Sequence, residues 1–201
     1  DDWLGLWEQG LAATPFQHPE WIISWMETFT PAEPRILEIR GCATLIGLAP
    51  LLVYKSGASR TLAFMAGGVS DYLDILALPR HVQEVRDCLW SYVCSQHRDW
   101  AQVDFTDLPA ASPLLQQVPA FAAIEKTLHD NSVVLSLQPQ AATLSSFVPA
   151  HKLRNWRNAE RRLQREPGGK LVVATVSTGE PALNRLLSEL FRLHGRRWSL
   201  T

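Results

Sequence analysis

The sequence is poor in the residues that hold metals and disulfides. It has three cysteines (Cys42, Cys88 and Cys94) and six histidines in 201 residues, and none of them fall at a metal-ligand spacing. No metal site is expected. An odd cysteine count argues against a disulfide framework and fits a reducing cytoplasm. Cys88 and Cys94 lie in an amphipathic helix pattern and read as small buried hydrophobes. No apolar run approaches the roughly 20 residues of a membrane span. The start, Asp1-Asp2-Trp3, has neither Met nor the basic stretch of a secretory leader, as expected of a processed or trimmed chain. H-x-x-x-H, C-x-x-C, G-x-S-x-G and P-loop patterns are all missing, which disfavours metal hydrolase, serine hydrolase and nucleoside triphosphatase readings. There is no internal repeat at solenoid periods and no low-complexity tract.

Apolar and aromatic residues are plentiful. Hydrophobic residues make up 46% of the chain and charged residues 19%, enough apolar material for a packed core. The eight Trp are expected mainly as core or interface anchors. The net charge of -1 hides an asymmetry. Residues 1–150 hold 8 basic and 16 acidic side chains, a balance of -8. Residues 151–170 hold 7 and 2, or +5, and residues 171–201 hold 4 and 2, or +2. A break this sharp marks a change of module or of surface role.

Periodicity predicts helices over Trp3–Leu11 and from Pro19 to the prolines at 31 and 34. Arg35–Arg40 and Ala43–Tyr54 then read as a hairpin around Gly41. Pro50 inside the second run predicts a sheet edge or a bulge. Thr61–Ala66 and Leu73–Leu78 read as strands, Val82–His97 as a helix, Ala101–Phe105 as a strand and Ser112–Val118 as a short helix. Phe121–Leu128 and Ser132–Leu137 are read as strands, His151–Arg165 as a helix, Leu171–Val176 as a strand and Glu180–Trp198 as a long helix. The fold class is α/β: a mixed, largely antiparallel sheet flanked by helices.

Gly67-Gly68 followed by Ser70-Asp71-Tyr72-Leu73-Asp74 is the most informative stretch. Paired glycines open backbone angles closed to other residues, or allow a close approach, and polar side chains follow at a strand mouth. Ser70, Tyr72 and Asp74 can hydrogen-bond a polar acceptor, and Asp71 can serve as a general base. The competing reading is a capped turn with a packed tyrosine. Arg154, Arg157, Arg161 and Arg165 share one side of their helix, where Arg154 and Arg157 can hold phosphates; a solvated face is the plainer alternative. His194, four residues before Trp198, is an acid/base candidate, or merely answers the helix dipole.

Four segments in order, Thr14–Trp21, Gly47–Leu51, Ser70–Asp74 and Leu193–Trp198, resemble acetyltransferases of the GNAT superfamily associated with bacterial cellulose biosynthesis. That family is similar in architecture to the Fem peptidyltransferases. The Arg-rich Lys152–Leu163 segment matches its connector. The resemblance implies an acyltransferase of two tandem GNAT-like domains, with acetyl-CoA as cofactor bound by the second and an amine or hydroxyl acceptor between them, a small molecule or a glycan. Residues 1–138 would be the first domain, 139–170 the helical connector, and 171–201 the opening strand and helix of an incomplete second domain. The family's Arg/Gln-x-x-Gly-x-Gly/Ala turn, whose N–H groups bind pyrophosphate ahead of a helix, is missing. The chain is therefore expected to supply the acceptor side and to bind acetyl-CoA weakly or not at all. The alternative is a non-catalytic module that binds a polysaccharide, a lipid-linked precursor or an export-complex protein. Nucleic acid is a weaker candidate. An exposed apolar face on the last helix would favour a homodimer.

Overall fold

The computed structural model describes residues 2–10, 13–96, 98–119, 125–128, 143, 145, 148–169, 175–177, 179 and 181–199. The chain divides into two compact units, 1–127 and 128–201. The first runs α1 (Asp2–Gln9), α2 (Pro19–Phe29), β1 (Pro34–Gly41), β2 (Thr44–Ser56), β3 (Ser59–Phe64), β4 (Leu76–Ala77), α3 (Val82–Ser95), β5 (Gln102–Asp104) and α4 (Pro113–Gln116). The second carries α5 (Ala150–Arg165) and α6 (Pro181–Trp198). The expected strand at Ser132–Leu137 lies outside the described residues, as do 121–124 of the one at Phe121–Leu128 and 171–174 of the one at Leu171–Val176; the described remainders, 125–128 and 175–176, are not in a strand.

The sheet is mixed and largely antiparallel, in the order β1-β2-β3-β5, with β4 paired to β2. β1 and β2 form the expected hairpin, and β5 runs parallel to β3. Leu45–Leu51 is buried without a break, as a strand covered on both faces must be. Ile39 pairs with Gly47 but Arg40 pairs with Leu45, so Ile46 is an extra residue on β2. This bulge reverses the alternation of faces. Leu45 and Leu48 thereby join Leu6 and Leu76, whereas Ile46, Ala49, Leu51 and Val53 pack with Val85 and Leu89 of α3.

Pro50 corrects the expectation of an edge or a bulge. It is buried in the central strand, opposite Ile36, away from the bulge. Its carbonyl accepts from Met65 N–H at 2.9 Å, on the side where its own N–H is missing. That side of β2 pairs with β3 from Leu51 onward and with β4 at Gly47 and Leu48. Pro50 thus sits where one partner ends and the next has not begun. β3 and β4 run alongside the same strand in the same direction, and the chain between them, residues 65–75, leaves the sheet as a loop. Hence the strand expected over Leu73–Leu78 shrinks to Leu76–Ala77.

The cysteines depart from expectation as well: Cys88 is exposed and Cys94 half-buried. The buried stripe of α3 runs through Val85, Leu89 and Val93, a face that neither cysteine shares. Of the tryptophans, Trp100 is buried, while Trp21, Trp156 and Trp198 are exposed. Arg60 ties the far end of the sheet together. It bonds both carboxylate oxygens of Glu33 at 2.7 Å and the carbonyl of Asp99 at 2.6 Å. The guanidinium holds the Glu33 carboxyl below its usual range.

Helix α3 lies directly on β2 at Gly47. A Cβ there would stand 2.2 Å from a methyl of Val85, which is fully buried. Gly47→Ala is expected to lower stability by about 1–3 kcal/mol, the usual cost of overpacking. Adding Val85→Ala should recover part of that loss. Urea unfolding of the single and double variants checks both statements.

Candidate functional site

The loop over residues 65–75 is fastened at several points. It leaves β3 through Ala66 and Gly68, both with positive φ (62° and 78°); glycine takes such angles freely and alanine does not. Ile22 of α2 packs on Met65 and Ala66. The indole N–H of Trp21 donates to Ser70 Oγ at 3.1 Å, and Leu73 N–H donates to the carbonyl of Asp107 at 3.0 Å. Gln17 is 4% exposed, and its amide donates to the carbonyls of Asp74 (3.1 Å) and Ile75 (3.2 Å). Its oxygen accepts from Thr14 N–H at 2.8 Å. One buried glutamine therefore joins the turn before α2 to the end of the loop.

Between that turn, the loop and the start of α4 lies a cavity of about 180 Å³. Its polar lining comes from Thr14, Gln17, Tyr72, Asp74, Ser112 and Gln116, with Leu73, Ile75 and Val82 in the apolar remainder. Asp74 Oδ1 accepts from Ile75 N–H at 2.8 Å. Burial pushes the Asp74 carboxyl up to about 6, against the opposing pull of the Ile75 N–H and the Ser112 hydroxyl. Ser112 is buried and also caps α4, accepting from Leu114 N–H at 3.1 Å. Thr14 Oγ1 is a buried hydroxyl with no partner. Among the described residues, none that lines the cavity is Lys, Arg or His.

The loop does not deliver its polar side chains together. Tyr72 and Asp74 line the cavity. Ser70 is buried, with its oxygen taken by Trp21. Asp71 is exposed and does not line the cavity. Phe16 stands beside Trp21 and Tyr72, with ring centroids 5.4 and 6.3 Å apart. Arg154 and Arg157 are exposed on α5, and His194 is exposed on α6 with its ring 5.9 Å from that of Trp198. None of these three lines the cavity. Thr14, Gln17 and Ser112 were not singled out from sequence. The first two sit inside the Thr14–Trp21 segment, and Ser112 shows only as a serine before a proline that opens a short helix.

Asp74 makes the fold pH-sensitive in a definite direction. Its folded value of about 6 stands above its ordinary 3.8, so the folded chain holds the proton more tightly than the unfolded chain. The associated stability is present below about pH 4 and is lost as pH rises to 6. Asp74→Asn should therefore stabilise the protein at pH 7.5 by about 1–2 kcal/mol, allowing for partial exposure. The difference should vanish at pH 3.5. Urea midpoints of both proteins at the two pH values measure it.

Comparison with known proteins gives little beyond this geometry. No protein-family model matches the chain, and no curated protein sequence matches it. Among solved structures it is similar to the apo aminoglycoside antibiotic 6'-N-acetyltransferase of Acinetobacter haemolyticus, with a TM-score of 0.39 and 12% identity. The match covers 66% of this chain and 91% of that one.

Proposed function

We infer that residues 1–127 are the acceptor-binding part of an acyltransferase. The observation that carries this reading is Asp74, a carboxyl set near neutral pH in a cavity that it lines together with Tyr72. The ordered sequence segments point the same way. A general base works best when its pKa lies close to the operating pH. At pH 7 Asp74 is mostly ionised, yet it stays basic enough to take a proton. An acceptor O–H or N–H hydrogen-bonded to it gives up its proton to the carboxylate as the acceptor's lone pair becomes the nucleophile. Ile75 N–H and Ser112 fix the carboxylate, and Tyr72 offers a contact that orients the acceptor.

The residues of this unit do not fit acetyl-CoA. Its diphosphate needs backbone N–H groups or cations. The cavity lining provides no cation among the described residues. α1, α2 and α3 carry Asp2, Glu20 and Glu84 in their first turns, where an acid opposes an anion. In this reading the acyl donor is held elsewhere, and the second unit belongs to that side.

The test is acetyl transfer by the natural protein to a panel of amines and alcohols. Asp74→Asn is expected to cut the rate by about 10²–10⁴, the usual contribution of a positioned base, and to leave the affinity for acetyl-CoA unchanged. A rate within threefold of the parent protein would remove Asp74 from proton transfer. Saturable binding of a panel member with no transfer would instead mark a binding module. Calorimetry showing tight, stoichiometric acetyl-CoA binding by residues 1–201 would overturn the division of labour.

A further inference from the structure

We propose that α6 lies along the surface of an anionic lipid bilayer, with its apolar side toward the lipid. The proposal does not depend on the role given to Asp74.

α6 lacks a cover. None of its residues is buried, and Leu186, Leu187, Leu190, Phe191, Leu193 and Trp198 stand between 39% and 70% exposed. Helices in proteins owe most of their stability to the packing of one apolar side. Leu183, Leu186, Leu187, Leu190 and Phe191 recur at the spacing that places them on one side of the helix, and Trp198 extends that side by two turns. Arg185, Arg192 and Arg196 take the other side.

Charge selects what covers it. α6 holds four arginines against one glutamate, and α5 holds six basic side chains against one glutamate. Arg192 pairs with Glu189. Arg185 and Arg197 form no ion pair among the described residues. α5 repeats the combination of cations with exposed apolar groups, at Trp156 and Leu163. A second α6 would bring the same charge against itself. A nucleic acid would answer the arginines and leave the leucines in water.

An anionic bilayer supplies both partners: an acyl boundary for Leu, Phe and Trp, and negative headgroups for Arg. No helix among the described residues is long and apolar enough to cross a membrane, so α6 lies on the bilayer and not through it. Residues 1–150, with a charge of -8, are repelled by such a surface. The chain therefore approaches it by its basic residues, 151–201.

Co-sedimentation of the full chain with lipid vesicles is the test. Vesicles of phosphatidylcholine alone are compared with vesicles containing about 30% phosphatidylglycerol, at low and high salt. At low salt the anionic vesicles are expected to bind at least tenfold more tightly, and high salt should remove most of that preference. Leu190→Ser combined with Phe191→Ser should weaken binding to the anionic vesicles at least tenfold. Thermal unfolding should be unchanged, since neither side chain is buried. Failure to sediment with the anionic vesicles overturns the proposal, and so does equal binding to both kinds. Anionic binding that the double variant leaves intact also overturns it, as adsorption by charge alone. A dimer, or a tRNA gel shift, that the double variant abolishes while vesicles are not bound assigns the same side of α6 to a second copy or to nucleic acid instead.

Discussion

A missing N–H at Pro50 organises the first unit. β2 pairs with β1 along one side, while its other side is divided between β3 and β4. A strand that passed Pro50 without leaving the sheet would present an acceptor to a residue with no donor. The chain leaves the sheet there instead and returns to pair again at Gly47 and Leu48. Because backbone polar groups must find partners, the detour is tied down from three directions: by Gln17 before α2, by Trp21 within α2, and by Asp107 after β5. The cavity lies between Gln17, the Tyr72–Ile75 end of the detour and the start of α4.

The same tethers set the electrostatics of Asp74. Gln17 spends its donors on the carbonyls of Asp74 and Ile75, not on the carboxylate. The carboxylate keeps two modest donors and is withdrawn from water, and burial wins. A lysine or arginine in the lining would hold it ionised well below neutral pH. The sheet thus decides where the carboxyl lies, and the scarcity of cations around it decides what it can do.

Much of the architecture was legible in the residues. The β1–β2 hairpin, α2 with Pro19 in its first turn, α3, α5 and α6 follow from apolar spacing and from glycine and proline punctuation. Pro50 was misplaced because a proline's local signature is the same at an edge and at a gap between two successive partners. Cys88 and Cys94 were misplaced because helical spacing narrows the buried face only to within a neighbouring position. Of the site, Tyr72 and Asp74 were visible as polar residues after paired glycines. Thr14, Gln17 and Ser112 were not, since their roles depend on partners as many as 58 positions away.

By itself the sequence determined the local elements, the chain's charge asymmetry and the position of a polar loop. Those properties depend on neighbours a few residues apart, and spacing and side-chain chemistry report them directly. Only the tertiary structure decided which loop side chains would share a cavity: Ser70 is spent on an indole, Asp71 is left in water and Asp74 is half-buried with its carboxyl largely withdrawn from solvent. Three carboxyl or hydroxyl groups within five residues read alike along a chain. Their chemistry diverges only once long-range packing sets how much water each one keeps.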